Sequence, residues 1–129
     1  MASLFTRIVN GEIPCFKVAE NADFLAFLDI QPLAIGHTLV IPKKETDYIF
    51  DIDDAAYQKL WAFAKEVAQQ LKAHIPCKRI GVSVIGLEVP HAHIHLIPLQ
   101  TIQDINFSGS KLSPTPEELL ALSTLLQSK

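Results

Sequence analysis

Five strand-like segments, one long apolar stripe at helical spacing and a short helix signature at each end predict an α+β protein, with the long helix packed on a sheet. At 129 residues the chain suits one core and is too short for two ordinary domains, so residues 1–129 are expected to form a single domain.

The elements follow in order. Ser3 is placed to cap a short helix through Leu4, Phe5, Ile8 and Val9, which Asn10-Gly11 would end. Phe16 to Glu20 and Phe24 to Asp29 read as two strands joined at Asn21-Ala22-Asp23, and in the second Leu25, Phe27 and Asp29 share one face. After the bend at Gln31-Pro32 and Gly36, His37 to Ile41 reads as a third strand closed by Pro42. From about Asp54 to Ala73 the apolar spacing becomes helical, with Tyr57, Leu60, Trp61, Ala64, Val67, Ala68 and Leu71 in one stripe. Asp51 or Asp53 would cap this helix, and Pro76 stops it soon after His74. Arg79 to Ile85 and His91 to Ile97 supply the last two strands. Thr115-Pro116-Glu117-Glu118 is a capping box for a final helix through Leu125. Gln100 to Ser113 is polar and turn-rich, with isolated Ile102, Ile105 and Phe107.

Composition narrows the function. A 49% hydrophobic and 19% charged chain can offset its folding entropy. No apolar run approaches the roughly 20 residues of a membrane span, and the amino terminus lacks a signal-peptide pattern, so a soluble cytoplasmic protein is expected. Cys15 and Cys77 form no short pair and read as buried reduced thiols. Net charge is −3, with no basic stripe interleaved with aromatics, which disfavours a polynucleotide partner and leaves a mononucleotide open.

The chemistry concentrates in His91-Ala92-His93-Ile94-His95-Leu96-Ile97. On a strand, alternate residues share a face, so the imidazoles align on one side and Ala92, Ile94 and Leu96 on the other. One half-buried histidine is ordinarily structural. Three in alternation point either to a nucleophile or base, or to a metal site. Imidazolium charges about 7 Å apart repel by about 2 kcal/mol at an effective dielectric of about 20, which lowers a pKa by roughly one to two. Crowding therefore keeps at least one ring neutral, and the flanked His93 is the expected site of the largest depression. No Asp or Glu follows within the ladder and neither cysteine is placed as a partner, so no metal is expected.

This run matches the histidine triad (HIT) motif, His-φ-His-φ-His-φ-φ with φ apolar, at every position. Phe5 through Ile13-Pro14, Phe27-Leu28-Asp29-Ile30, Pro32, Gly36-His37 and Leu39 to Lys44 also resemble the family's amino-terminal half. The resemblance covers residues 4–99, leaving 100–129 as a tail with a helix, as in bacterial members, and is nearest the purine nucleoside phosphoramidase branch. It implies a five-stranded antiparallel sheet, one long helix and a homodimer with joined sheets. It further implies a hydrolase or nucleotidyl transferase without a cofactor, acting on a purine mononucleotide or nucleotide conjugate. His93 corresponds to the nucleophile that forms a nucleotidyl-histidine, with His91, His95 and His37 assisting. Asp29 corresponds to the carboxylate on the ribose hydroxyls, and Phe5, Ile8, Ile13, Phe27 and Ile30 to the walls around the base.

Departures cluster before the triad. The family usually carries an Asn, a Gly-rich loop and then Gln with Ser or Thr, all contacting phosphate. Here Val84-Ile85-Gly86-Leu87-Glu88-Val89-Pro90 is shorter, with Leu87 for the Gln and Glu88 where a small hydroxyl is expected. Glu88 beside phosphate would repel it. The zinc-binding variant is not matched, since the amino-terminal C-x-x-C is absent and Glu45 stands in place of a histidine. The leading expectation is therefore a nucleotide-cleaving enzyme. A nucleotide-binding module with weak catalysis is the second reading, and a metal hydrolase built on the histidine cluster is the third.

Overall fold

The computed structural model describes residues 2–128. Helix α1 (Leu4–Val9) begins at Ser3, whose hydroxyl accepts the Thr6 N–H at 3.0 Å, and stops before Gly11, which takes a φ of 80°. Strands β1 (Lys17–Glu20) and β2 (Phe24–Leu28) form a hairpin in which the Asn21 side-chain oxygen accepts the N–H groups of Asp23 and Phe24. Next come β3 (Thr38–Pro42), a 3₁₀ turn at Ile49–Asp51, the long helix α2 (Asp54–His74) capped by Asp53, β4 (Arg79–Ser83) and β5 (Ile94–Leu99). A second 3₁₀ turn at Ile102–Ile105 and helix α3 (Pro116–Gln127), opened by the Thr115/Glu118 capping box, complete the chain. The five strands form one antiparallel sheet in the order β1-β2-β3-β5-β4, as the α+β expectation required.

Strand alternation sorts the apolar residues onto two faces. Phe24, Ala26, Leu28, Val40, Ile94 and Leu96 pack with Leu60, Phe63, Ala64, Val67 and Leu71 of α2 and with Leu119 and Leu126 of α3. The opposite face carries a smaller cluster, Leu25, Phe27, Leu39 and Ile41, covered by Phe5 from α1. No helix among the described residues is long and apolar enough to cross a membrane.

Several strand boundaries differ from the sequence expectation. β5 starts at Ile94, so His91 and His93 lie in its lead-in instead of in a regular ladder. The cause is the end of β3 and the segment after it: the Ala92 N–H is taken by the Thr46 carbonyl at 2.7 Å, and the His91 Nε2–H by the Pro42 carbonyl at 2.7 Å. β5 also runs through Pro98; the last β3 pair is Thr38 with Leu96, so only β4 flanks Pro98 and a missing N–H costs at most one bond. β3 begins at Thr38 and includes Pro42, while β4 ends at Ser83. Phe63 joins the buried stripe of α2 because its ring meets Phe24 with centroids 5.6 Å apart. Cys15 and Cys77 are free but half-buried, not buried, and burial raises the Cys15 pKa, keeping its thiol protonated.

Candidate active site

The smaller face of the sheet carries the reactive groups, each at the end or in the open row of a strand. Asp29 immediately follows β2 and donates its N–H to the carbonyl of His37, which immediately precedes β3. Gly36, at φ 95°, makes the bend that delivers His37; a side chain there would collide with Ile75 and press on Pro98. His95 on β5 pairs with Leu39 of β3 and Ser83 of β4. His93 lies just before it, with the two ring centroids 4.9 Å apart. Asp29, His37, His91, His93 and His95 are thus drawn together from three segments, and all four histidines are buried.

Their hydrogen bonds assign every proton, because a carbonyl only accepts and a backbone N–H only donates. The Leu33 N–H donates to His37 Nδ1 at 3.1 Å, so the His37 proton sits on Nε2. That proton is donated to His95 Nδ1 at 2.9 Å, which leaves the His95 proton on its own Nε2. His91 donates from Nε2 to the Pro42 carbonyl, so its Nδ1 accepts from the Ser3 hydroxyl at 2.8 Å. His93 donates from Nδ1 to the His91 carbonyl at 2.8 Å. The consequence is that the neutral His93 ring carries its lone pair on Nε2, the atom an imidazole nucleophile uses.

Burial keeps the surrounding rings neutral. It is the first cause of the lowered pKa values of His37 and His91, and it pushes His95 to about 3, with the charges of His93 and His37 adding to it. Asp29 opposes the fall at His37 without reversing it. At His95 removal from water outweighs the mutual charge effect, so burial and not repulsion alone depresses the ring.

Asp29 turns one oxygen back to the Gln31 N–H at 2.9 Å, and its other oxygen stands 3.7 Å from His37 Nε2, beyond a good hydrogen bond. That oxygen remains able to accept from a ligand. Phe5 and Phe27 are buried, with the Phe5 ring 5.0 Å from His93, while Ile8 and Ile13 are half-buried and Ile30 is exposed. Glu88 is exposed and makes no hydrogen bond or ion pair among the described residues. A cleft of about 300 Å³ opens beside Asp29 and His37 and is closed by Leu119 and Leu122 of α3; Phe5 and Phe27 do not line it.

Two groups of residues here carried no sequence signal. Phe107, from the polar tail, stacks edge-on against His95 at 4.8 Å and reaches His37 at 6.3 Å, and the Leu112 N–H anchors the tail to the Pro32 carbonyl at 2.8 Å. Ser3, Thr6 and Glu45 form the second group, around His91. An aromatic isolated in a polar stretch, and bonds spanning 42 and 88 positions, leave no periodic trace.

For a metal, Asp29, His37 and His95 offer ligand atoms within 4.8 Å of one another. The His95 Nδ1 lone pair already receives the His37 proton, so an ion would have to displace that bond.

Comparisons with known proteins give the family. The chain is 32% identical over 131 residues to an adenosine 5'-monophosphoramidase of Schizosaccharomyces pombe, covering 100% of this chain and 98% of that one. It is 35% identical to an uncharacterised HIT-like protein of Borreliella burgdorferi, over 93% of this chain and 92% of the relative. The crystal structure of a HIT-like protein from Bartonella henselae superposes with a TM-score of 0.83 at 27% identity, covering 97% of this chain and 93% of the other. Residues 10–102 match the model of the HIT domain, and the chain belongs to that family.

Proposed function

We propose that this protein cleaves nucleoside phosphoramidates, or related nucleotide phosphoanhydrides, through a nucleotidyl intermediate on His93. The supporting observation is the His93 Nδ1–H bond to the His91 carbonyl, which holds an unprotonated Nε2 toward a substrate. In the first step Nε2 bonds to the α-phosphorus as the bond to the leaving amine breaks, and the amine departs with a proton. In the second, water attacks the same phosphorus, the phosphorus–nitrogen bond to His93 breaks, and a nucleoside monophosphate is released. His95 carries its proton on Nε2 and is the nearest ring able to donate to a phosphate oxygen or to the leaving group. His37 fixes that tautomer. Asp29 accepts from the ribose hydroxyls, and Phe5, Ile8, Ile13, Phe27 and Ile30 enclose a purine. No metal or cofactor takes part in either step.

The second reading, nucleotide binding with little turnover, is favoured by the loop before the triad. Leu87 is 88% exposed and Glu88 makes no bond, so this loop presents no side-chain donor to phosphate. Incubation with an adenosine phosphoramidate separates the two. AMP release and an adenylyl-protein mass adduct, both lost in His93→Ala, are expected; AMP binding with neither would favour the binding module.

We also propose a homodimer joined through β4. Exposed Tyr48, Phe50, Val82, Ile85 and Leu87 lie on or near that edge, more apolar surface than an isolated protomer usually presents in one place. Sedimentation should give twice the 14.3 kDa chain mass, and a monomer at micromolar concentration would reject the assembly.

A further inference from the structure

Four groups converge where α1 meets the segment after β3. The Glu45 carboxylate accepts the Ser3 N–H at 2.6 Å and the Thr6 hydroxyl at 2.7 Å, both on one oxygen. The Thr6 hydroxyl, 3.3 Å from His91 Nδ1, has its single proton committed to Glu45 and cannot donate to the ring. Ser3 can. Its hydroxyl oxygen accepts the Thr6 N–H at 3.0 Å, and its proton faces His91 Nδ1 at 2.8 Å, closer than the alternative acceptor, Thr6 Oγ1, at 3.2 Å. On the far side of the ring, Nε2 donates to the Pro42 carbonyl. The same segment also takes the Ala92 N–H at the Thr46 carbonyl.

We propose that Glu45 is a positioning residue for the His93 nucleophile: through Ser3 and Thr6 it sets the seat of His91, whose tautomer the Pro42 carbonyl fixes and whose own carbonyl holds the His93 Nδ1–H. Glu45 itself is exposed, and it touches neither His93 nor the Asp29 side of the site. Its action is transmitted. Glu45 takes the Thr6 hydroxyl proton away from His91 and holds the Ser3 backbone in place, so the Ser3 hydroxyl stands 2.8 Å from His91 Nδ1 and 3.2 Å from Thr6 Oγ1. Without it, the Thr6 hydroxyl is free to compete for His91 Nδ1 and α1 loses a tether to the end of β3. The His91 ring can then turn, and its carbonyl with it. Phe5, which packs edge-on against both His91 and His93 at 5.8 and 5.0 Å, rides on the same helix, so one tether serves both contacts.

The inference rests on the proposed nucleophilic role of His93, and its test is arranged so that the two fail separately. Wild type, Glu45→Gln, Glu45→Ala and Ser3→Ala are compared by ¹⁵N NMR of the His91 ring without substrate, and by kcat and KM on an adenosine phosphoramidate. Wild type is expected to show the Nε2–H tautomer of His91. Glu45→Ala should move the His91 Nδ1 resonance, as the hydroxyl bond there is rearranged, and lower kcat by about 10- to 100-fold, the range for partners that orient an imidazole, with KM little changed. Glu45→Gln retains an oxygen acceptor in the same place and should lie nearer wild type in both readouts. Ser3→Ala breaks the bond to His91 directly and should repeat the change at Nδ1 even if Glu45→Ala folds poorly. An unchanged His91 spectrum in Glu45→Ala and Ser3→Ala, or equal losses of kcat in the Gln and Ala variants, would overturn the proposal. An inactive wild type would instead reject the hydrolase reading while leaving the His91 ring comparison intact.

Discussion

The two faces of the sheet are made by the same strands and do opposite work. Toward α2 and α3, β2, β3 and β5 present Phe24, Ala26, Leu28, Val40, Ile94 and Leu96, an apolar layer with no reactive group in it. Toward α1, alternate positions present Leu25, Phe27, Leu39 and His95, a thinner layer bordered by Asp29, His37, His91 and His93. A one-residue step along β5 passes from a residue that holds the fold to one that holds a proton. The buried histidines are therefore confined to one face, where each ring has an assigned partner, and stability and chemistry can be altered separately.

That separation can be broken by experiment, beginning with the largest effect. His93→Ala should lower turnover at least about a thousandfold, as removal of a nucleophile does, with a urea midpoint close to wild type. A parallel collapse of stability would mean that the two faces are not separable. Leu96→Ala, on the opposite face and 1% exposed, should cost about 2–5 kcal/mol in denaturant unfolding while kcat per folded molecule changes little.

Acid should act through the histidine face. His95 is pushed to about 3, whereas the unfolded chain takes up the same proton near 6.5, so the unfolded state binds more protons between these values and stability falls as pH is lowered. The contribution is complete above pH 6.5. By pH 5 the loss from His95 alone is about 2 kcal/mol, and His37 and His91 act in the same direction. Glu45 has the opposite charge and the same sign of effect: lowered to about 2, chiefly by the Ser3 N–H and then by Thr6, it supports the fold above about pH 4.5 and loses that support below it. Urea midpoints at pH 7 and 5 read the difference, and His95→Asn should flatten the slope where Leu96→Ala does not. The smallest expected effect is at the rim of the apolar face. Thr115→Ala removes the cap of α3 and should cost about 1 kcal/mol by thermal unfolding, leaving kcat unchanged.

What could be read beforehand follows the same division. The apolar face was legible because burial imposes a period: two along β2 and β3, and 3.6 along α2. Phe63 escaped because it lies at the border of the stripe and is buried by a cross-contact with Phe24. On the other face the triad was legible as a dense local pattern, and Asp29 and His37 through the resemblance around them. Ser3, Thr6, Glu45 and Phe107 were not, since their contacts join distant segments through single bonds or one ring edge. The early expectation of a regular histidine strand erred for the same reason: the carbonyls of Pro42 and Thr46, some fifty positions away, draw residues 91 and 92 off the ladder.

The edges of the sheet differ as sharply as its faces. Along β1, the carbonyl of Lys17 is taken by the Ser123 hydroxyl of α3 and that of Val18 by the Gln70 amide of α2 at 3.1 Å. Along β4, no hydrogen bond other than those to β5 involves Arg79–Ser83 among the described residues. A protomer with one sealed edge and one open edge has a single valence. In the proposed homodimer two copies pairing through it would satisfy each other and leave nothing to recruit a third, and the route that turns exposed strands into fibres would end at a closed twofold pair.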